Sequence, residues 1–354
     1  MKALALVEAP DHVCGRYRIS AFAPALDASG WSIAVQGLAS GTLARLAQLR
    51  SASRYDVVIL QRKLLPLLHL MLLRRYAKRL IFDFDDAVLY RDSYDSRGPH
   101  SRRRGTRFGT TVRAADLIIA GNAFLADCAT IHGASRDRIR VIPTCIDTDR
   151  YVPRSHESKP TSIVRLVWIG SSSTLQGIER QRPLLERLGR EFPDLRLRLI
   201  SDRFPRFDPL PVEAIAWSQA GESSAIAGGD IGISWVPDDL WSRGKCGLKV
   251  LQYGAAGLPT VANPVGVHPE ILNHDETGEL ATTEDEWVDA IRRLIDDPER
   301  RFRKGRAARE RVESSYSVAS WSGAFVGAIT GNGLVPPSHT RSPSSTKSGK
   351  AVRR

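Results

Sequence analysis

The chain of 354 residues contains little cysteine and no long apolar run near its first residue. Its four cysteines are widely separated and form no Cys-x-x-Cys pair, which argues against a zinc knuckle and against a disulfide framework. The first apolar stretch ends at Glu8 and is too short for the apolar core of a secretory signal. We therefore expect a protein that is not secreted and that works in a reducing cytoplasm.

Acidic residues are also in short supply. The chain has 51 Lys and Arg against 39 Asp and Glu, which gives a formal net charge of +12. Five of the cations lie in residues 331–354, a stretch rich in Pro, Ser and Thr that predicts a disordered basic tail. The remaining charge fits an anionic substrate or lipid head groups as well as nucleic acid. The sequence holds no nucleic-acid-binding motif, so we expect no nucleic-acid partner.

Short apolar runs alternate with helical patterns, which is typical of parallel sheets covered by helices. Five runs come first: KALALV, SIAVQGL, YDVVILQ, KRLIFDF and DLIIAG. A linker rich in proline, serine and charge follows at residues 142–162, and then come IVRLVWIG, LRLRLIS, IGISWVP and LPTVAN. The pattern predicts an α/β protein with two Rossmann-like, doubly wound parallel-sheet domains, residues 1–155 and 156–330, followed by the tail.

Ligands of such sheets bind beyond the carboxyl ends of the strands, and two facing domains create a deep cleft. The loop after IVRLVWIG contains Ser171, Ser172 and Ser173, ahead of a helix that begins near Thr174. Hydroxyls and free backbone N–H groups at a helix start suit a phosphate, although a plain serine N-cap explains the same residues.

The stretch WSRGKCGLKVLQYGAAGLP adds positive charge to the same region. Arg243, Lys245 and Lys249 fall just before or within a helix that starts near Gly247, and Lys249 shares a face with Gln252. The next strand leads into a glycine loop at Gly266 and a second helix start. These features together predict a site for a diphosphate that carries a sugar. The alternative for Arg243 and Lys245 is that they are solvated residues just before a helix, with no part in binding.

The segment from GLKVLQYGAAGLP to GRAARERVESSYS resembles the carboxyl-terminal half of a glycosyltransferase family 4 enzyme of the GT-B fold. The amino-terminal half resembles the same family more weakly, through CGRYRI, IFDFDDAVLY and GNAFLADCA. The resemblance implies transfer of a sugar, of the hexosyltransferase type, from a nucleotide-sugar donor to a hydroxyl of a glycan or lipid-linked acceptor. It also implies retention of configuration, no bound metal and no cofactor, because the nucleotide-sugar is a co-substrate. A final helix in this fold typically crosses back to the first domain.

The chain departs from the family pattern at two places. Family members usually carry two glutamates, one toward the donor sugar and one toward the ribose, where this chain has Gly244 and Gln252. They also tend to have an arginine and a lysine where this chain has Ser171 and Gln176. Our hypothesis is that Arg243, Lys245 and Lys249 replace that missing charge from the opposite wall of the same pocket. A nucleotide-sugar epimerase and a non-catalytic nucleotide-binding relative are the alternative functions.

The sequence FDFDDAVLY places three carboxylates, Asp83, Asp85 and Asp86, at the end of a predicted strand. They mimic the Asp-x-Asp metal site of the other large glycosyltransferase fold. We favour Asp85 or Asp86 as catalytic groups that contact the sugar or the acceptor, with metal binding as the alternative. Asp83 has the opposite strand parity to its phenylalanine neighbours and is predicted to be a structural hydrogen-bond acceptor.

Two arginines, Arg16 and Arg18, follow the first strand and are candidates for binding an anionic acceptor, such as a phosphate-linked lipid. A solvated helix start is the alternative for both. His12 and His268 are isolated histidines near loops, and we expect them to be hydrogen-bonded parts of the scaffold.

The leucine-rich stretch from Leu64 to Leu73 is flanked on both sides by arginines and lysines. It is too short to span a bilayer, but a helix of this kind can lie on an anionic membrane surface. We therefore expect peripheral association with the inner face of the cell membrane, with a buried helix as the alternative. This stretch and the family resemblance together suggest polysaccharide or glycolipid synthesis for the cell envelope.

Overall fold

A computed structural model describes residues 1–10, 12–153, 163–273 and 276–331. Residues 332–354 of the predicted basic tail and residues 154–162 of the predicted linker lie outside the described residues.

The first sheet contains six parallel strands in the order β2-β1-β3-β4-β5-β6. Its strands are β1 (Lys2–Val7), β2 (Ser32–Gly37), β3 (Val57–Gln61), β4 (Leu80–Phe84), β5 (Leu117–Ala120) and β6 (Ile139–Val141). Its helices are α1 (Val13–Arg18), α2 (Ala23–Ala28), α3 (Thr42–Ser51), α4 (Leu67–Tyr76), α5 (Arg102–Ala114) and α6 (Ala123–Ile131). Every residue of β3, β4 and β5 is buried because helices cover both faces of the sheet.

The second sheet also has six parallel strands, in the order β12-β11-β10-β7-β8-β9. Its strands are β7 (Val164–Ile169), β8 (Leu195–Ser201), β9 (Val212–Ala216), β10 (Ile231–Ser234), β11 (Thr260–Ala262) and β12 (Gly278–Leu280). The helices that follow are α7 (Ser172–Glu179), α8 (Arg182–Glu191), α9 (Glu222–Ala227), α10 (Leu240–Arg243), α11 (Leu248–Ala255), α12 (His268–Leu272), α13 (Glu284–Asp296), α14 (Pro298–Ser315) and α15 (Val318–Thr330). The strand order reverses between β7 and β10, and such a switch point is where a doubly wound sheet binds its ligand.

The predicted α/β class and the two doubly wound parallel sheets are confirmed. Three strands were not predicted, and all three, β6, β9 and β12, lie at sheet edges. Two of them have only three residues, and β9 is largely exposed or half-buried. Because an edge strand needs no apolar residue at every position, these strands leave no continuous apolar run in the sequence.

Helix α15 returns from the second sheet to pack on the first. Phe325 stacks on Phe22 with ring centroids 4.3 Å apart. The Arg79 guanidinium donates hydrogen bonds to the carbonyls of Ala328, at 2.9 Å, and Ile329, at 2.6 Å. The preceding helix, α14, packs on α11 of the second sheet. The α14 and α15 pair therefore links the two sheets, as the family resemblance implied for the final helix.

None of the helices in the described ranges combines the length and the apolar content needed to cross a bilayer.

We expect the Phe325→Ala variant to lose about 3–5 kcal/mol of unfolding free energy, because it removes a fully buried ring from the α15 contact. Ala319→Ser, at an exposed position of the same helix, is the matched control and should change stability by no more than about 0.5 kcal/mol. Urea denaturation followed by circular dichroism measures both. Equal stability of the two variants would contradict a structural role for the α15 contact.

Candidate active site

The two sheets approach each other at the segment 244–246, which lies between α10 and α11. Asn122 caps α6 through its Oδ1 atom, and its Nδ2 atom donates to the carbonyls of Gly244, at 3.1 Å, and Lys245, at 3.3 Å. The Cys246 thiol donates to the carbonyl of Asp85 at 3.3 Å. The loops that follow β4 and β5 therefore contact the lead-in to α11 directly, and the carboxyl ends of the two sheets meet here.

Gly244 has no room for a side chain in this arrangement. A Cβ atom at this position would lie 2.6 Å from the Cβ atom and 2.7 Å from the backbone nitrogen of Ala87. Ala87 therefore fills the space beside the position where the family resemblance puts a glutamate toward the donor sugar. The contact between the domains gives a physical reason for this departure from the family pattern.

A second contact across the cleft comes from the loop between β4 and α5. The Ser93 hydroxyl donates to Asp239 at 3.1 Å, and Asp239 caps α10. The guanidinium of Arg180, at the end of α7, lies over the Tyr94 ring, 4.6 Å from its centroid. This loop thus reaches α7 and α10, two helices that follow strands of the second sheet.

Lys245 and Lys249 form the basic wall of the cleft. The Lys249 ammonium lies 5.3 Å from the Trp168 ring centroid, and that of Lys245 lies 5.8 Å from the Trp241 ring centroid. Burial, together with the nearby charge of Lys245, lowers the pKa of Lys249 to about 8, and the charge of Asp86 opposes this shift. Within the part of the chain that the structure describes, Lys249 makes no ion pair with an acidic side chain. Its charge is therefore available to an anion in the cleft.

The predicted site residue Arg243 has a local partner instead. Its Nε atom lies 2.9 Å from Asp238, and the two side chains are 49% and 61% exposed. This geometry favours the solvated alternative for Arg243, whereas Lys245 lies in the cleft.

The three serines follow β7 as predicted, and they are exposed. The backbone N–H of Ser172 donates to one carboxylate oxygen of Asp202 at 2.6 Å, and its hydroxyl donates to the other at 2.8 Å. Ser171 and Ser173 share a hydroxyl hydrogen bond of 2.7 Å. The hydrogen bond from Ser172 lowers the pKa of the Asp202 carboxyl. A carboxylate that the sequence did not point to thus sits at the start of α7, where a phosphate was predicted.

The loop after β11 brings Gly266 against α10. Gly266 has a φ of +60°, and a Cβ atom there would lie 3.2 Å from the Ser242 carbonyl, so a side chain would be strained. His268 begins α12 and is buried, and its Nδ1 atom donates to the Asn263 carbonyl at 2.9 Å. Burial lowers the pKa of His268 to about 4, which leaves the ring neutral at neutral pH. These contacts agree with the predicted scaffold role.

Gln252 belongs to a buried polar network between the two domains. Its Nε2 atom donates to the hydroxyls of Tyr17, at 3.1 Å, and Tyr151, at 3.2 Å. Glu222 accepts from Tyr17 at 2.7 Å and from Tyr151 at 3.2 Å, and Arg16 pairs with it at 3.0 Å. Burial raises the pKa of Tyr151 to about 12, which keeps its hydroxyl protonated as a donor. Gln252, which was predicted to be part of the donor site, and Arg16, which was predicted to bind the acceptor, both have protein partners here.

Arg18 is not where an acceptor could reach it, which corrects the acceptor-binding prediction for this residue. It is 2% exposed, and its guanidinium lies 2.5 Å from Asp83 and donates to the Ile142 carbonyl at 2.6 Å. The short helix α1 starts at Val13 and turns the arginine inward under the sheet. Asp83 is fully buried and acts as the structural acceptor that strand parity predicts.

Asp85 and Asp86 lie in the cleft beside an arginine that the sequence analysis did not select. An Arg62 guanidinium nitrogen lies 2.6 Å from Asp86, and the Nε atom lies 3.8 Å from Asp85. Another of its nitrogens donates to the Cys14 sulfur. In the sequence Arg62 is one of the cations that flank the leucine-rich stretch Leu64 to Leu73, and its place directly after β3 was a usable indication of a role in the cleft.

The same side chains decide whether this place suits a metal ion. Cys14, Asp85 and Asp86 each offer a potential ligand atom, and these atoms lie within 4.8 Å of one another. Burial raises the pKa of the Cys14 thiol well above its ordinary value, whereas a metal needs the thiolate. The Arg62 guanidinium already pairs with the carboxylates, so the residues present fit an arginine better than a metal ion.

Residues 180–326 match the family model described as glycosyl transferase-like. The chain is 25% identical over 283 residues to the D-inositol 3-phosphate glycosyltransferase of Pseudarthrobacter chlorophenolicus, and this match covers 71% of the chain and 61% of the relative. It is 28% identical over 245 residues to the sulfoquinovosyl transferase SQD2 of Arabidopsis thaliana, which covers 59% of the chain and 46% of that relative. The match thus spans less than two thirds of either relative.

Solved structures share the architecture over nearly the whole chain. The Anabaena Alr3699/HepE structure in complex with UDP and glucose aligns with a TM-score of 0.69 at 14% identity, covering 94% of this chain and 100% of that one. The sucrose-phosphate synthase of Thermosynechococcus elongatus aligns with a TM-score of 0.66 at 15% identity, covering 91% and 96%. The fold is GT-B, and the resemblance to the glycosyltransferases is confirmed for the carboxyl-terminal part of the chain.

A structural role for Arg18 predicts that Arg18→Met costs about 3–5 kcal/mol of unfolding free energy, because the Asp83 carboxylate is left buried without its partner. The double variant Arg18→Met with Asp83→Leu should recover most of that loss, since it buries no charge. Chemical denaturation of the two variants measures the difference. A single variant as stable as the parent protein would contradict the assignment.

Proposed function

We propose that this protein is a glycosyltransferase that moves a hexose from a nucleotide-sugar to a hydroxyl of a glycan or lipid-linked acceptor, with retention and without a metal ion. The observation that carries the proposal is the basic wall of Lys245 and Lys249, which faces Asp86 across a GT-B cleft. The structural relative crystallised with UDP and glucose, and the two curated relatives named as transferases, support the same class of reaction.

The donor's diphosphate is assigned to Lys245 and Lys249. Lys245 precedes α11 and Lys249 lies in its first turn. The amino-terminal N–H groups of this helix add positive potential at the same place. The Gly266 loop approaches the same segment closely and contributes its backbone without a side chain in the way. The serine loop contributes hydroxyls, with Ser171 and Ser173 the better candidates because Ser172 is held by Asp202.

The reaction needs stabilisation of a departing diphosphate more than it needs a strong base. The bond between the anomeric carbon and the diphosphate oxygen breaks, and the acceptor oxygen forms its bond on the same face of the sugar. The acceptor proton passes to the leaving phosphate oxygen. Cations held in place before the reaction stabilise the charge that develops on that oxygen. Asp86, with Asp85 beside it, supplies the negative charge that faces the sugar.

A nucleotide-sugar epimerase or a non-catalytic nucleotide-binding relative would use the same donor site. The absence of a glutamate side chain at Gly244 keeps the second alternative open as an outcome of the experiment. Analysis of the products with and without acceptor separates all three, because an epimerase changes the donor alone and a non-catalytic relative changes nothing.

A location on the inner face of an anionic membrane, in cell-envelope glycolipid or polysaccharide synthesis, is the finer part of the proposal. Three apolar side chains of α4 are strongly exposed: Leu67 at 55%, Leu68 at 78% and Met71 at 60%. Helix α3 packs beside α4 and exposes Leu43 at 83%. Exposed apolar side chains clustered in this way are typical of a surface that meets a partner or a membrane.

The charges around this patch favour an anionic bilayer as the occupant. Arg74 and Arg75 end α4, and Lys78 follows it. Arg74 pairs with Asp116 at 3.2 Å and Lys78 with Asp56 at 3.0 Å, whereas Arg75 is exposed. The neighbouring helix α5 begins with three exposed arginines and has no acidic residue in its first turn. Apolar side chains at the level of the acyl chains and cations at the head groups are what such a surface requires.

We expect the Lys249→Ala variant to bind UDP about tenfold or more weakly than the parent protein, because a charge-assisted contact to the diphosphate is lost. Affinity should also fall as pH rises through about 8, since only protonated Lys249 attracts the anion. Lys249→Arg stays charged, so its affinity should not fall between about pH 7 and about pH 9.5. Isothermal titration calorimetry across that range measures all three proteins.

Parallel titrations with GDP, ADP and CMP test the choice of base. If none of these nucleotides binds the parent protein, the donor-site assignment fails. If Lys249→Ala binds UDP as tightly as the parent, the site exists but Lys249 does not form it.

Because α4 exposes Leu67, Leu68 and Met71, we expect the protein to float with vesicles that contain phosphatidylglycerol. The double variant Leu68→Gln, Met71→Gln should stay in the soluble fraction. The binding should weaken with added salt, because the head-group contacts are electrostatic. Ile131→Gln, which changes a 79% exposed side chain on α6, is the control for surface polarity. Equal flotation of the double variant, or equal binding to neutral vesicles, would contradict the anionic-membrane proposal.

A further inference from the structure

Arg62 adopts a backbone conformation that is unfavourable for its residue type. It follows β3 with a φ of +56°, in the left-handed region that side chains other than glycine rarely occupy. Its N–H donates to the Asp83 carbonyl at 2.8 Å, so the adjacent strand β4 holds the turn in place. Strain of this kind persists only where the surrounding structure maintains it, and it is found preferentially at functional sites.

The turn delivers a guanidinium into a small space shared by three elements. Arg62 is 14% exposed as a side chain, and it contacts Asp86 at 2.6 Å and Asp85 at 3.8 Å. It also donates to the sulfur of Cys14 on α1. A planar, permanently charged group that binds several acceptors at once is suited to hold a carboxylate in one orientation.

The charged and titratable groups that act on Asp86 come from every side of the cleft. Arg62 and Lys245 are the cations, from the β3 loop and from the lead-in to α11, and His12 adds a smaller effect from the start of α1. Asp85, its chain neighbour, acts in the opposite sense, and Cys14 lies close to both carboxylates. Burial raises the pKa of Asp86, and the two cations oppose that rise.

We propose that Arg62 is a positioning residue, which holds the Asp86 carboxylate toward the donor sugar so that the amino-terminal domain supplies the negative charge that Gly244 lacks. This inference rests on the proposed function. Ala87, the next residue after Asp86, fills the space at Gly244, so the loop that excludes a glutamate side chain also brings its own carboxylate to the same place. The sugar gains positive charge in the transition state, and a carboxylate held nearby stabilises it.

The test compares Arg62→Gln, Arg62→Lys, Asp86→Asn and the double variant Arg62→Gln with Asp86→Asn. We expect Arg62→Gln to lower kcat about tenfold or more while the KM for donor stays within about twofold. The acid limb of its pH–rate profile should move to higher pH, because loss of a neighbouring cation raises the pKa of a carboxyl group. Arg62→Lys should recover part of the rate. The double variant should be no slower than Asp86→Asn alone, since Arg62 acts through Asp86.

A second measurement does not depend on turnover. In protein labelled with [4-13C]aspartate, the Asp86 carboxyl resonance is identified by its loss in Asp86→Asn, and its titration midpoint should rise by about one pH unit or more in Arg62→Gln. Thermal unfolding of each variant shows whether the fold is retained, and Arg62→Lys serves if Arg62→Gln does not fold.

If the parent protein transfers sugar but the losses of the two single variants add up in the double variant, the inference is wrong. The same holds if the titration midpoint of Asp86 does not change in Arg62→Gln. Either result leaves the proposed function intact. A parent protein that binds UDP and transfers no sugar would overturn the proposed function, and with it the role of Arg62 in transfer. These two failures are therefore distinct.

Discussion

The close contact between residues 244–246 and the loops that follow β4 and β5 is the constraint on which the rest of the site depends. The contact is close enough to need a glycine on each side: Gly244 lies against the backbone and Cβ atom of Ala87, and Gly121 lies against the Cys246 sulfur. Hydrogen bonds from Asn122 to the carbonyls of Gly244 and Lys245 fix the register. As a result, the side chain of Lys245 enters the cleft next to Asp86, and the cations of one domain face the carboxylates of the other.

Both departures from the family pattern of glutamates lie on contacts between the domains. Gly244 makes space for Ala87, and Gln252 donates two hydrogen bonds to tyrosine hydroxyls that also bond to Glu222. A glutamate at position 252 would offer no donor to Tyr17 and Tyr151 and would add a second carboxylate beside Glu222. A buried network is stable only when its donors and acceptors match, so the change from glutamate to glutamine follows from the surroundings.

Prediction from the sequence succeeded where the determining interactions are local. Apolar runs identified the central strands, and the parity of Asp83 identified a structural acceptor. The cations near α11 were selected as candidates because helical spacing and the position after a strand are visible in one segment, and their role in donor binding stays a prediction. Three edge strands escaped because their residues need not be apolar. Arg62 and Asp202 escaped because each acts on a partner in another segment, with 24 residues or more separating the members of each pair.

The sequence by itself determined the α/β class, the two doubly wound sheets and the segments that line the cleft, because repeated burial on both faces of a parallel sheet leaves a periodic apolar pattern. Only the tertiary structure decided which charges are free and which are already paired. Arg18 is paired with Asp83, Arg16 with Glu222 and Asp86 with Arg62, while Lys249 forms no ion pair with an acidic side chain in the described ranges. The physical reason is that electrostatic pairing depends on distances between segments far apart in the chain, and those distances exist only once both sheets have packed.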